Sequence, residues 1–171
     1  MTPSARKPFR QSALAIAAML VVGAPPSQQA LAASCTWNPA TGNWNVAGSW
    51  SCGVVPSGGP DTAIIAAGKT VTVNSAQSAL SLSNAGTIHI DAFLLTLSGG
   101  GSTTNTGTIH IGAGAIPNNA ALQLAPGHHV DNTGGVINVS ADSVLNQFGS
   151  TITGGVINTT GSGRLVVFGN G

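Results

Sequence analysis

Aliphatic and polar residues alternate in short bursts along this chain, most plainly in Thr108-Ile109-His110-Ile111. The same burst occurs as Thr87-Ile88-His89-Ile90. It returns with Asn in the central polar slot in Val136-Ile137-Asn138-Val139 and Val156-Ile157-Asn158-Thr159. Alternation with period two puts the aliphatic side chains on one face of a strand and the polar one on the other. Each burst is preceded by turn formers: Asn84-Ala85-Gly86, Asn105-Thr106-Gly107, Asn132-Thr133-Gly134-Gly135 and Thr153-Gly154-Gly155. A second aliphatic pulse lies between bursts, at Leu80-Ser81-Leu82, Leu95-Thr96-Leu97, Leu122-Gln123-Leu124, Val144-Leu145-Asn146 and Leu165-Val166-Val167. The pattern predicts two short strands per repeat, separated by Gly, Asn, Ser and Thr turns. No apolar stripe runs at helical spacing.

The bursts recur at intervals of 21, 28 and 20 residues, measured between Ile88, Ile109, Ile137 and Ile157. A recurrence in this range marks a solenoid, in which no repeat can bury its apolar face alone. The expected fold is therefore all-β: a parallel β-helix of about five or six coils with an aliphatic interior. Asn84, Asn105 and Asn132 are candidates for a hydrogen-bonded ladder along the stack, with Thr153 ending the series. Such a stack also accounts for a charged content of only 5%, because a charge repeated at one position would face its own copies.

The ends differ from the middle. Arg6, Lys7 and Arg10 precede an apolar run from Leu14 to Val22, and Ala30-Leu31-Ala32 offers a small-residue cleavage site. Residues 1–33 thus read as a secretory signal peptide, too short for a comfortable membrane span. Residues 34–68 read as an N-terminal cap, and 69–171 as the β-helix repeats, with strand register starting near Asp61. The cap holds both cysteines and all three tryptophans. In an exported chain, Cys35 and Cys52 are expected to form a disulfide. Trp37, Trp44 and Trp50 have two readings: rings packed over the first coil, or a platform on which a sugar stacks. Residues 113–119 account for the 28-residue interval and read as an outward loop. The final strand at Leu165–Val167 is expected to continue into a longer architecture or to be covered by another molecule, including a second copy joined end to end.

Chemistry is sparse. Without the leader the chain keeps Lys69 and Arg164 against Asp61, Asp91, Asp131 and Asp142, a formal charge of −2. No basic patch remains for nucleic acid, and no second long apolar segment would span a membrane. His89 and His110 hold equivalent slots that Asn138 and Asn158 fill later, which reads as a solvent-facing polar ladder rather than a metal site. His128-His129 reads as a surface pair. The carboxylates are scattered, and no nucleophile, phosphate-loop or calcium-repeat motif occurs. The sequence predicts no catalytic residue, cofactor or metal. Asn138-Val139-Ser140 and Asn158-Thr159-Thr160 match the glycosylation sequon.

Cys35-Thr36-Trp37-Asn38, Gly42-Asn43-Trp44, Trp50-Ser51, Pro56 and Asp61-Thr62-Ala63-Ile64-Ile65, followed by N-x-G-x-I-x-I repeats, resemble the start of large bacterial surface proteins. These are the autotransporter-passenger and filamentous-haemagglutinin-like β-helix proteins of Gram-negative bacteria. The resemblance implies an exported, adhesin-like or cell-surface protein whose partners would be host-cell or matrix glycans or proteins. It carries over no catalytic residue. Two departures stand out: no outer-membrane barrel segment is expected from the pattern, and Asn38-Pro39-Ala40 does not substitute for the Asn-Pro motifs of a two-partner secretion domain. The alternative function is a small secreted carbohydrate-binding module using the three tryptophans.

Overall fold

The structure, a computed structural model, describes residues 33–112 and 119–169. The expected signal peptide, apart from Ala33, and the expected loop, apart from Asn119, lie outside the described residues. Strands dominate, and the helical content among the described residues is one 3-10 turn, Ala47–Ser49.

The chain visits three sheets in turn and returns to each one. A first pass contributes β1 (Ser34–Thr36) and β2 (Thr41–Asn43). The second contributes β3 (Thr62–Ile65), β4 (Thr70–Val73) and β5 (Gln77–Ala79), and the third β6 (Ser81–Asn84), β7 (Thr87–Ile90) and β8 (Leu94–Leu97). The fourth contributes β9 (Ser102–Asn105), β10 (Thr108–Ile111) and β11 (Ala121–Leu124). The fifth contributes β12 (His129–Asp131), β13 (Val136–Val139) and β14 (Val144–Phe148). The last contributes β15 (Thr151–Thr153), β16 (Val156–Thr159) and β17 (Arg164–Phe168). The sheets run β1-β3-β6-β9-β12-β15, β2-β4-β7-β10-β13-β16 and β5-β8-β11-β14-β17, which we call the first, second and third sheets. Each sheet is parallel, and each strand pairs with its counterpart one pass later.

From the second pass on, each pass therefore has three strands, not the two that the aliphatic pulses predict. The unexpected strand belongs to the first sheet, whose members Ser102-Thr103-Thr104-Asn105 and Thr151-Ile152-Thr153 carry one aliphatic residue or none. Parallel neighbours supply the hydrogen bonds that hold such a sequence extended. Leu80-Ser81-Leu82 also falls in a different place from its supposed equivalents. Leu82 lies in the first sheet on β6, whereas the third-sheet strand of that repeat is Gln77-Ser78-Ala79.

Register is maintained throughout the second sheet. Val71, Ile88, Ile109, Ile137 and Ile157 stack as successive partners, as do Val73, Ile90, Ile111, Val139 and Thr159. The longer 28-residue interval leaves Thr108 opposite Val136, so its extra length lies between β10 and β11 and not within a strand. Leu95, Leu122, Leu145 and Leu165 form the matching column of the third sheet. From Val71 to Ile137, and at Leu95, Leu122 and Leu145, these residues are buried. Each such side chain contributes about 1.5–3 kcal/mol.

The glycine of the repeated phrase is required by this close stacking. A Cβ on Gly107 would collide with the carbonyl oxygen of Gly86, and one on Gly86 with that of Lys69. No side chain fits where one backbone crosses so near the next.

The sheets start earlier than the repeat does. Ser34–Thr36 pairs with Thr62–Ile64, and Thr41–Asn43 with Thr70–Thr72, so part of the expected cap is itself stranded. Cys35 and Trp37 take the interior positions there in place of aliphatic residues. Cys35 and Cys52 are joined by a disulfide.

Candidate functional site

Two groups of side chains offer chemistry: the outward face of the second sheet and the tryptophan cluster beside the disulfide. Among the described residues there is no cavity.

The second sheet turns its central polar slots outward, and register lines them up. Asn43, Thr72, His89, His110, Asn138 and Asn158 are successive partners on β2, β4, β7, β10, β13 and β16. The imidazoles of His89 and His110 lie with ring centroids 5.0 Å apart, tilted by 60°. Asn138 Nδ2 lies 3.4 Å from His110 Nδ1, and Asn158 Nδ2 donates to Asn138 Oδ1 at 2.9 Å. Partial burial lowers the His110 pKa from its ordinary value, and the neighbouring His89 lowers it further. The imidazole is therefore neutral near pH 7. Two residues before each slot lies a second outward column, Thr70, Thr87, Thr108 and Val136. No formal charge is found in either column.

The interior holds its own polar ladder. Asn84 Nδ2 donates to Asn105 Oδ1 at 2.8 Å, and Asn105 Nδ2 to Asn132 Oδ1 at 2.6 Å. Asn84 Oδ1 also accepts from Gly86 N–H at 3.2 Å. All three amides are buried. Thr153 does not end this series, because register places it opposite Asp131, and Asn132 Nδ2 instead reaches Val156 O at 3.4 Å.

His128-His129 is not a surface pair. His129 faces out and bonds Thr151 Oγ1 through Nδ1 at 2.6 Å, but His128 is 1% exposed. Its Nδ1 lies 2.7 Å from the Ser98 carbonyl, so Nδ1 carries the hydrogen, and Nε2 accepts from Thr103 Oγ1 at 2.9 Å. Burial lowers its pKa, partly offset by the bond to Ser98, and His129 lowers it slightly further. The turn-like sequence Gly127-His128-His129 carries no signal that one ring points inward.

Trp37, Trp44 and Trp50 are 1%, 0% and 2% exposed. Trp50 meets Trp37 and Trp44 edge-on at 5.1 and 4.9 Å, and its Nε1 donates to Trp44 O at 2.8 Å. Gly42 gives the Trp37 ring its room. A sugar-stacking platform needs an open ring face, and these rings have none, so their placement lends that reading no support.

Asp61, Asp91, Asp131 and Asp142 remain separate. Among the described residues no group of three or more His, Cys, Asp or Glu is placed to hold a metal ion, and no helix is long and apolar enough to cross a membrane. No family model, curated protein or solved structure matches the chain.

Proposed function

We propose that this chain is an exported structural segment of a secreted or cell-surface protein, adhesin-like in role and wound as a parallel β-helix. The observation that carries the reading is the in-register stacking of the I-x-I strands of the repeated phrase in one of three parallel sheets. Such a stack builds length and presents walls, which suits a stalk or display surface better than a reaction vessel. The Cys35–Cys52 disulfide is compatible with an oxidising compartment, and the basic-then-apolar leader supplies the export route. The autotransporter-passenger resemblance of the cap and repeats fits the same role. No residue is assigned to catalysis.

The partners of such a surface would be host-cell or matrix glycans and proteins, or further copies of the chain.

Expression in a Gram-negative host, cell fractionation and amino-terminal sequencing test the proposal. The expected product lies outside the cytoplasm and begins at Ala33 or Ser34. A chain retained in the cytoplasm with Met1 intact would overturn the reading.

A further inference from the structure

The sequence alone favours a plain polar ladder at His89 and His110; the register and ring separation give that pair more to do. We propose that His89 and His110 form a two-imidazole site on the outer wall of the second sheet for a divalent late transition-metal ion, copper(II) above nickel(II) or zinc(II).

The two residues are direct partners on adjacent parallel strands, and both strands are held on their other sides by β4 and β13. The Cα positions are thus fixed before any ion arrives, which removes most of the ordering cost of chelation. Ring centroids 5.0 Å apart leave only side-chain rotation between the observed pose and two nitrogens about 3 Å apart. That separation lets both bind one ion at about 2.0–2.1 Å.

The surroundings suit a neutral-imidazole donor pair. Thr70, Thr72, Thr87, Thr108, Val136 and Asn138 surround it on the strands and carry no charge, and the Lys69 ammonium, next to Thr70 in the chain, donates to the Asn38 carbonyl. Asn138 sits against His110 Nδ1 and in turn bonds Asn158. A half-turn of both amides keeps that chain bonded and aims Asn138 Oδ1 at His110 Nδ1–H. Nε2 then becomes the lone-pair nitrogen, and this is the outer-shell role that orients ligating histidines. With no third His, Cys, Asp or Glu joining the pair among the described residues, water completes the coordination. An all-nitrogen donor pair selects copper over nickel and zinc, and the lack of carboxylates disfavours calcium and magnesium.

The test is calorimetric titration of the untagged, leaderless chain with copper(II) in a non-chelating buffer at neutral pH. Variants His89→Asn and His110→Asn serve as probes, since Asn fills the same slot in the next two repeats and should fold normally by circular dichroism. The expected result is one ion per chain, weakened at least about tenfold by either substitution. Asn138→His, which adds a third imidazole in register, should tighten binding at least about tenfold. The proposal fails if no binding occurs up to roughly 1 mM metal, the limit of a useful affinity. It fails equally if stoichiometric binding survives both Asn substitutions, which would place the ion elsewhere, for instance at His129 or the chain amine.

Discussion

Asn84 donates its side-chain amide to Asn105 at 2.8 Å inside the stack, although 21 residues of chain separate the two. Asn105 passes the same bond on to Asn132 at 2.6 Å. A buried amide flanked by amides is satisfied on both sides only while register holds, so a slip of one residue would strand several polar groups in an apolar interior.

Asn105→Ala removes the middle of that chain, takes the Asn105 donor from Asn132 Oδ1 and leaves Asn84 Nδ2 with only its 3.4 Å contact to Thr108 O. Each buried, unpaired group costs about 1–3 kcal/mol. Urea unfolding should show the midpoint falling accordingly. An unchanged midpoint would mean that the ladder adds nothing to stability.

Gly107→Ala should be more damaging than a methyl group suggests. The added carbon meets the Gly86 carbonyl oxygen, which is backbone and cannot step aside. We expect a loss of at least about 2 kcal/mol, the upper part of the overpacking range. The same change at Gly48, whose Cβ would meet nothing within 4 Å, should be nearly neutral, and thermal melts of the two variants decide the matter.

Reducing the Cys35–Cys52 disulfide, which spans 17 residues, should lower stability by about 3 kcal/mol. The loss should begin at the tryptophan cluster, because Cys35 lies on β1 and all three rings pack in the same buried cluster. A red shift of Trp fluorescence ahead of the loss of the strand signal is the expected readout. Simultaneous loss of both signals would show the cap and sheets melting as one unit.

His128 gives the fold a pH dependence of defined sign. Its pKa in the folded chain lies below the ordinary 6.5, so the unfolded chain takes up the proton first as pH falls. Stability is then full above about pH 7.5 and declines as pH drops through the imidazole range towards the depressed folded value. His110, also lowered, acts in the same direction. His128→Gln should flatten the decline measured by urea unfolding between about pH 7.5 and 5.5. A wild-type curve that rises on acidification would contradict the neutral, buried assignment.

Much of the architecture was legible in the sequence because period-two alternation and a recurring phrase can be read directly along the chain. Ile88, Ile109 and Ile137 announce both the strand face and the stacking partner; Asn84, Asn105 and Asn132 announce a ladder along the stack, but not that it is buried or that Thr153 stays out of it. The cysteine pair was legible as well, since the chain has two cysteines and a disulfide can join them in only one way. The first-sheet strand of the later passes was not legible: Ser102–Asn105 has no aliphatic alternation, and its extended form comes from the parallel neighbours on either side. The inward turn of His128 was equally invisible, because it depends on Ser98 and Thr103 arriving from the previous pass. So was the closing of the tryptophan rings on one another, which required Trp50 to come back across Trp37. Local pattern determined which residues alternate and how often; only the tertiary stacking decided which residues 20 to 30 positions apart would touch, because those contacts exist only once the sheets have brought the passes into register.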